Sequence, residues 1–267
     1  MKTTLKSLLV VLLFPVVLVS QQTESQFIEW MGNDSIANAM AWRGMDHIMN
    51  IENEKAYTFF EAAVANDPSL FAPHVVLANL SWGDVRKHHI AEAKRLVDGK
   101  NEVSQMFVSL LDVDRKAEDA ADQRRAIWKK MYGLAYDGAL VNYFYARSVQ
   151  DAKERIMELE KLAAKVDKAG RNTGHIHNIL GYTYYAEGDK VKAKAHLDKY
   201  LELRPNGYNA YDSMAEFYMN EADMENALKY YKATREHYPG ALNAMNKIRE
   251  IEEKMPAEEE NMPANEE

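Results

Sequence analysis

His88 and His89 are adjacent and His175 and His177 stand two apart, which makes them the first residues to test for metal chemistry. A helix brings two imidazoles onto one ion at a separation of three or four, as in His-Glu-x-x-His, so neither pair has the geometry of a zinc site. His175 and Asp212 share a site only if neighbouring elements bring them together. The chain has no cysteine, which removes thiolate metal sites, disulfides, a cysteine nucleophile and lipid attachment at a lipobox. It also lacks Gly-x-Gly-x-x-Gly, Gly-x-x-x-x-Gly-Lys-Ser/Thr and Gly-x-Ser-x-Gly, so neither a phosphate loop nor a nucleophile elbow is expected. No motif singles out a carboxylate pair for hydrolysis among the 41 acidic residues. The expectation is a non-enzymatic protein with no metal or cofactor, whose chemistry is reversible hydrogen bonding and stacking by tyrosines, amides and carboxylates.

Such side chains need elements to hold them, and the stretch from Gly174 to Tyr238 reads as two copies of one 34-residue helix-turn-helix unit. The first copy carries Leu180, Gly181, Tyr184, Gly188-Asp189, Ala193, Leu197, Tyr200 and Pro205. The second carries Met214, Ala215, Tyr218, Asp223, Ala227, Tyr231, Thr234 and Pro239. Each position has a packing reason. Gly181 and Ala215 let the second helix approach the first, Ala193 and Ala227 accept that contact, and Tyr184, Tyr218 and Tyr231 fill the space beside them. Pro205 and Pro239 end each second helix, because proline cannot continue the hydrogen-bond ladder.

This spacing resembles the tetratricopeptide repeat. Stepping back by the repeat length finds small residues at Ala146, Ala78 and Gly44, with one extra residue between Ala146 and Gly181. Around Gly44 the second-helix positions hold Ala56, Phe60, Ala63 and Pro68. The middle is weaker, with Asp112, Tyr136, Glu158 and Arg171 at positions where a small residue, proline, alanine and proline belong. The resemblance therefore divides the chain into a lead or cap segment at 21–36 and a solenoid at 37–254. Within the solenoid, units 37–70, 174–207 and 208–241 are well marked, units 71–104, 105–138 and 139–173 are degenerate, and a closing helix spans 242–254. The fold class it implies is all-α, a right-handed α-solenoid of stacked helix pairs, each too small to bury its own apolar face. Composition agrees, with 12 Gly and 7 Pro in 267 residues, periodic segments rich in Ala, Leu, Glu, Lys and Met, and no alternating β-branched run after residue 20.

In this family the first helix of each pair lines a concave face. Carrying the frame over places Tyr143 and Arg147 from one unit, His175, Asn178, Tyr182 and Tyr185 from the next, and Asn209, Asp212, Glu216 and Met219 from the last on that face. These side chains suit a protein or peptide partner held by hydrogen bonds and stacking. The lysine, asparagine and arginine clamp by which related repeats hold acidic carboxyl tails is missing, since Asp212, Glu216, Tyr182 and Ala41 stand in its places. An acidic groove favours neutral or basic segments.

The ends read differently. Lys2 and Lys6, the apolar run Leu8 to Val19 and the polar segment after it form a signal-peptide pattern at 1–20, with cleavage expected after Ser20. The run is shorter than the roughly 20 residues of a membrane span and contains Pro15, so no stable span is expected after cleavage. Without a cysteine, an exported chain fits a bacterial periplasm or cell surface. Losing Lys2 and Lys6 takes the net charge from −8 to about −10, which argues against nucleic acid. Residues 255–267 read as a disordered acidic tail, and Asp112 to Arg125 as a charged connector or solvated helix start. Phe27, Ile28, Trp30 and Met31 are expected to cap the array, and Met40, Trp42, Met45, Ile48 and Met49 to face its core.

The functional expectation is an adaptor or scaffold of the bacterial envelope that binds a peptide segment on its concave face. The alternative is a structural homo-oligomer. A pocket of converging polar groups between residues 105 and 173 would instead mark an envelope hydrolase or a small-molecule receptor.

Overall fold

The computed structural model describes residues 25–254, which contain thirteen helices and no strand. The signal pattern at 1–20 and the acidic tail at 255–267 lie outside the described residues. The helices pair in chain order. α1 (Ser35–Met49) packs on α2 (Asn53–Asn66), α3 (Phe71–Leu80) on α4 (Gly83–Leu96), and α5 (Glu102–Ser109) on α6 (Ala120–Leu134). α7 (Ala139–Ser148) packs on α8 (Ala152–Lys168), α9 (Gly174–Ala186) on α10 (Lys190–Leu203), and α11 (Tyr208–Asn220) on α12 (Met224–His237). The last helix, α13 (Leu242–Lys254), lies against α12. Successive pairs stack through α2 on α3, α6 on α7, α8 on α9 and α10 on α11, so the chain is an all-helical solenoid. No described helix is long and apolar enough to cross a membrane.

Local chemistry sets the starts of these helices. The carboxylates of Asp34, Asp151, Asp189 and Asp223 and the amide oxygen of Asn101 each accept from the backbone N–H three residues on, satisfying a donor that the first helical turn leaves free. The turns before α10 and α12 share one design. Gly188 takes φ 82° in the first and Ala222 takes φ 59° in the second, each just ahead of the capping aspartate. The turn between α1 and α2 shares only the left-handed residue, Ile51 at φ 62°, since Glu52 after it makes no capping bond, and a β-branched residue adopts that conformation only under constraint.

Packing within a pair depends on small residues. A Cβ on Gly181 would stand 2.7 Å from Leu197, and one on Gly44 would stand 2.9 Å from the Phe60 ring, so glycine alone permits these helix separations. Ala193, Ala215 and Ala227 are fully buried at the equivalent contacts.

Two regions depart from the sequence reading. The segment before α1 does more than cover an end, because it bridges distant units. Trp30 packs on Phe60 of α2 and Phe107 of α5, with ring centroids 6.0 and 5.4 Å away. The backbone N–H of Gln26 donates to Leu134 O, and the Asn101 side-chain amide donates to Phe27 O. Trp42, expected in the core, is instead 58% exposed on the rim of a cavity beside Phe27 and Met31, while Met45 is buried. The side of α1 that carries Trp42 is left open because α2 packs on the side where Ala41 and Gly44 lie, with Gly44 against the Phe60 ring.

Candidate functional site

The helices that carry the candidate residues are partly covered by the chain itself. The corner between α1 and α2 reaches across to residues about 150 positions later. Tyr143 donates its hydroxyl to Met49 O at 3.0 Å and Tyr200 donates to Asn50 O at 3.2 Å. Arg204 donates to the carboxylates of Asp46 at 2.6 Å and Glu52 at 3.2 Å, and Tyr208 donates to Glu54 at 2.7 Å. Glu52 is wholly buried, and His47 also donates to it. Burial pushes the Glu52 carboxyl up, but the hydrogen bond from His47 and the charges of Arg204 and Lys55 outweigh it and hold the group below the usual range.

This contact decides which of the ten candidate residues meet solvent. Tyr143 is fully buried under Met49, and burial pushes its phenol up to about 12. His175 is buried edge-on to the Tyr143 ring, with centroids 4.9 Å apart. Burial holds its imidazole down at about 4, and its charged neighbours include Asp46 and Arg204. Asn178 is fully buried and accepts from the Ser213 hydroxyl at 3.0 Å, which ties α9 to α11. Asn209 is buried and donates to Tyr200. Tyr143, His175 and Asn209 sit at or beside the internal contact, and Asn178 is enclosed between α9 and α11.

The later turns remain accessible. Tyr182 is 37% exposed on α9 and donates its hydroxyl to Glu216 across the helix pair. Asp212 and Glu216, one turn apart on α11, are half-buried, and neither has a cation within ion-pair distance among the described residues. Burial, then the neighbouring Glu216 charge, push the Asp212 carboxyl up to about 6. Tyr185 is held by its hydrogen bond to Glu221 at 2.9 Å, where Lys190 also binds, and Met219 packs against the cluster around Ala215. Arg147 is exposed on α7 and faces a different cavity.

The histidines form pairs that the sequence did not show. His74 and His89 share one hydrogen bond between their Nδ1 atoms at 2.8 Å, and His177 and His196 do the same at 2.8 Å. Such a bond requires at least one ring of each pair to be neutral, because an imidazolium has no acceptor. Burial and the charge of the partner imidazole hold His74 and His177 at about 4. No group of three or more metal-ligating side chains is found among the described residues.

Sequence reasoning missed the α1–α2 corner, whose ligands Asp46, Asn50 and Glu52 carry no motif. It also missed Arg115 and Arg124, which lay inside the segment read as a solvated connector.

The tetratricopeptide repeat family profile matches residues 179–207, the unit of α9 and α10. No curated protein matches the chain in sequence. Among solved structures, the chain is similar to the APC/C hetero-tetramer Cut9-Hcn1 with 16% identity and a TM-score of 0.49, over 79% of this chain and 42% of that one. It thus spans less than half of that relative's length. It is also similar to PilW, a type IV pilus biogenesis factor, with 15% identity and a TM-score of 0.42, over 83% of this chain and 93% of that one. A third match is TTC0263, a thermophilic tetratricopeptide protein of Thermus thermophilus, with 18% identity and a TM-score of 0.34, over 80% and 98% of the two chains. The profile match thus covers one helix pair of the all-helical solenoid, α9 from Ile179 onward with α10 and the turn that follows it.

Proposed function

We propose that this protein is a non-enzymatic adaptor, exported to the bacterial cell envelope, that holds a basic peptide segment against the open part of its inner face. The observation that supports this reading is the carboxylate pair Asp212 and Glu216. The two sit one helical turn apart beside the exposed Tyr182, and no cation neutralises either of them within the described residues. Like charges in a concave, half-desolvated place cost stability, and a lysine or arginine side chain from a partner relieves that cost. Tyr182 adds a flat apolar surface and a hydroxyl for the partner's backbone. Export rests on the signal pattern at 1–20 and on the absence of cysteine.

The test is a positional peptide array probed with the purified protein and with an Asp212→Asn, Glu216→Gln variant. The expected result is enrichment of peptides containing Lys or Arg, with that enrichment lost in the variant while helicity and melting are unchanged. Equal capture by both proteins, or no preference for basic residues, refutes the assignment of this face.

A further inference from the structure

A second cavity, of about 780 Å³, lies among the lead segment and the earlier helices. Its apolar wall is aromatic. Trp128 stacks on Phe144 with centroids 5.0 Å apart, Phe107 lies 6.0 Å from Trp128, and Trp30 closes the row. Its charged lining is three arginines, Arg115, Arg124 and Arg147, against one carboxylate, Glu118. In a chain of net charge −8 this is a local reversal of sign.

The arginines have only neutral partners. Arg115 donates to the side-chain and backbone oxygens of Asn79 at 2.7 and 3.3 Å, and Arg124 donates to Leu110 O at 3.3 Å. Arg86, just behind them, donates to Ala78 O. None of these four guanidinium groups has a carboxylate within ion-pair distance among the described residues. Burial lowers the Arg124 guanidinium from its ordinary range, and the charges of Arg115 and Arg86 add to that effect. Proteins normally intersperse opposite charges. A cluster of unneutralised arginines around a desolvated aromatic wall is the arrangement that receives an anion with an apolar body.

We infer that this cavity is a binding site for a small organic anion, a carboxylate carried on an aromatic or aliphatic body, with Arg115 and Arg147 on the head group and Trp128 and Phe144 against the body. The volume falls within the range of roughly 300–1,000 Å³ typical of small-molecule sites. The lining comes from the lead segment, the α1–α2 corner, α3, α5, the 110–119 connector, α6 and α7, which surround a compact body. The site is separate from the acidic face around Asp212 and takes the opposite charge.

Calorimetric titration of the full chain with 2-naphthoate, with the neutral isostere 2-naphthylmethanol and with dodecanoate tests this assignment. The expected result is one saturable site for an anion, with naphthylmethanol at least about tenfold weaker, as loss of a charge-assisted hydrogen bond implies. An Arg115→Gln, Arg147→Gln variant is expected to lose about tenfold or more in affinity for the anion while keeping its helicity and its binding to basic peptides. Ala121→Trp, which fills the cavity from α6, is expected to abolish binding. A preference for naphthoate over dodecanoate assigns an aromatic body, and the reverse assigns an aliphatic one. Equal binding of the neutral isostere, unchanged affinity in the double glutamine variant, no heat with either anion, or binding of a Glu-rich peptide in place of the small anions overturns the proposal.

Discussion

Replacing Arg204 with methionine keeps much of the apolar stem of the side chain and removes its charge. The guanidinium joins the end of α10 to Asp46 and Glu52, which lie 158 and 152 residues earlier. Glu52 is wholly buried, so the variant leaves its carboxylate with His47 as its remaining side-chain partner. Breaking one partner out of a buried ion pair costs about 3–5 kcal/mol, because a desolvated charge is left behind. Asp46 is about half exposed, so its share is at most about 1 kcal/mol after solvent screening. Because a solenoid need not unfold in one step, the assay combines urea unfolding with hydrogen exchange. The informative amides are Glu52 N–H, donating to His47 O at 2.9 Å, and Ala56 N–H, donating to Glu52 O at 2.9 Å. Arg204→Met is expected to accelerate exchange at both, and a double-mutant cycle with Glu52→Gln is expected to show a coupling on the order of 2 kcal/mol. The Glu52 carboxyl is depressed in the folded state, so its stabilisation is present above the usual carboxylate range and is lost as pH falls through the depressed value. A destabilisation below about 0.5 kcal/mol with unchanged exchange would refute the claim that this ion pair holds the corner in the groove.

Acid is expected to loosen the array well before most carboxylates titrate. His74, His175 and His177 stand at about 4 when folded against an ordinary value of 6.5, so the unfolded chain binds more protons between those limits and stability falls as pH drops from 6.5 to 4. At about 1.4 kcal/mol per unit, and with the part-exposed His177 discounted for solvent screening, the three sites together lose on the order of 8 kcal/mol, and melting at pH 7, 5.5 and 4.5 reads this directly. Ala222→Gly is expected to stabilise the chain by about 0.5–1 kcal/mol by relieving the left-handed conformation that Gly188 meets without strain, measured by the urea midpoint. Binding of a basic peptide to the inner face is expected to strengthen between pH 5 and 7, since the Asp212 carboxyl titrates at about 6, and Asp212→Asn is expected to flatten that profile in fluorescence polarisation.

The helical architecture was legible in the sequence because its determinants are local. A left-handed turn followed by a capping aspartate, as at Gly188-Asp189, and a helix pair that closes only around glycine, as at Gly181 against Leu197, act within one unit and recur at a fixed interval. The exposure of the candidate residues was not legible. The repeat frame assigns Tyr143, His175, Asn178 and Asn209 to an inner face, but it carries no information about what else occupies the space in front of that face. The arginine-lined cavity was hidden for the same reason. Arg115 and Arg124 sit among charges of both signs in the sequence, and only folding sets them around one cavity with Arg147 while Asp114 and Asp119 stay out of its lining.

What the sequence alone determined is the repeating unit: where helices begin, why they pair, and the all-helical fold that follows from stacking pairs that cannot bury their own apolar faces. What only the tertiary structure decided is the contact between the α1–α2 corner and residues Tyr143, Tyr200, Arg204 and Tyr208, the burial of Tyr143, His175 and Asn209 beside it, and the gathering of Arg115, Arg124 and Arg147 around one cavity. The physical reason is that curvature accumulates over many helix pairs. A small rotation at each interface, set by packing volumes and not by any motif, determines whether residues some 150 positions apart meet.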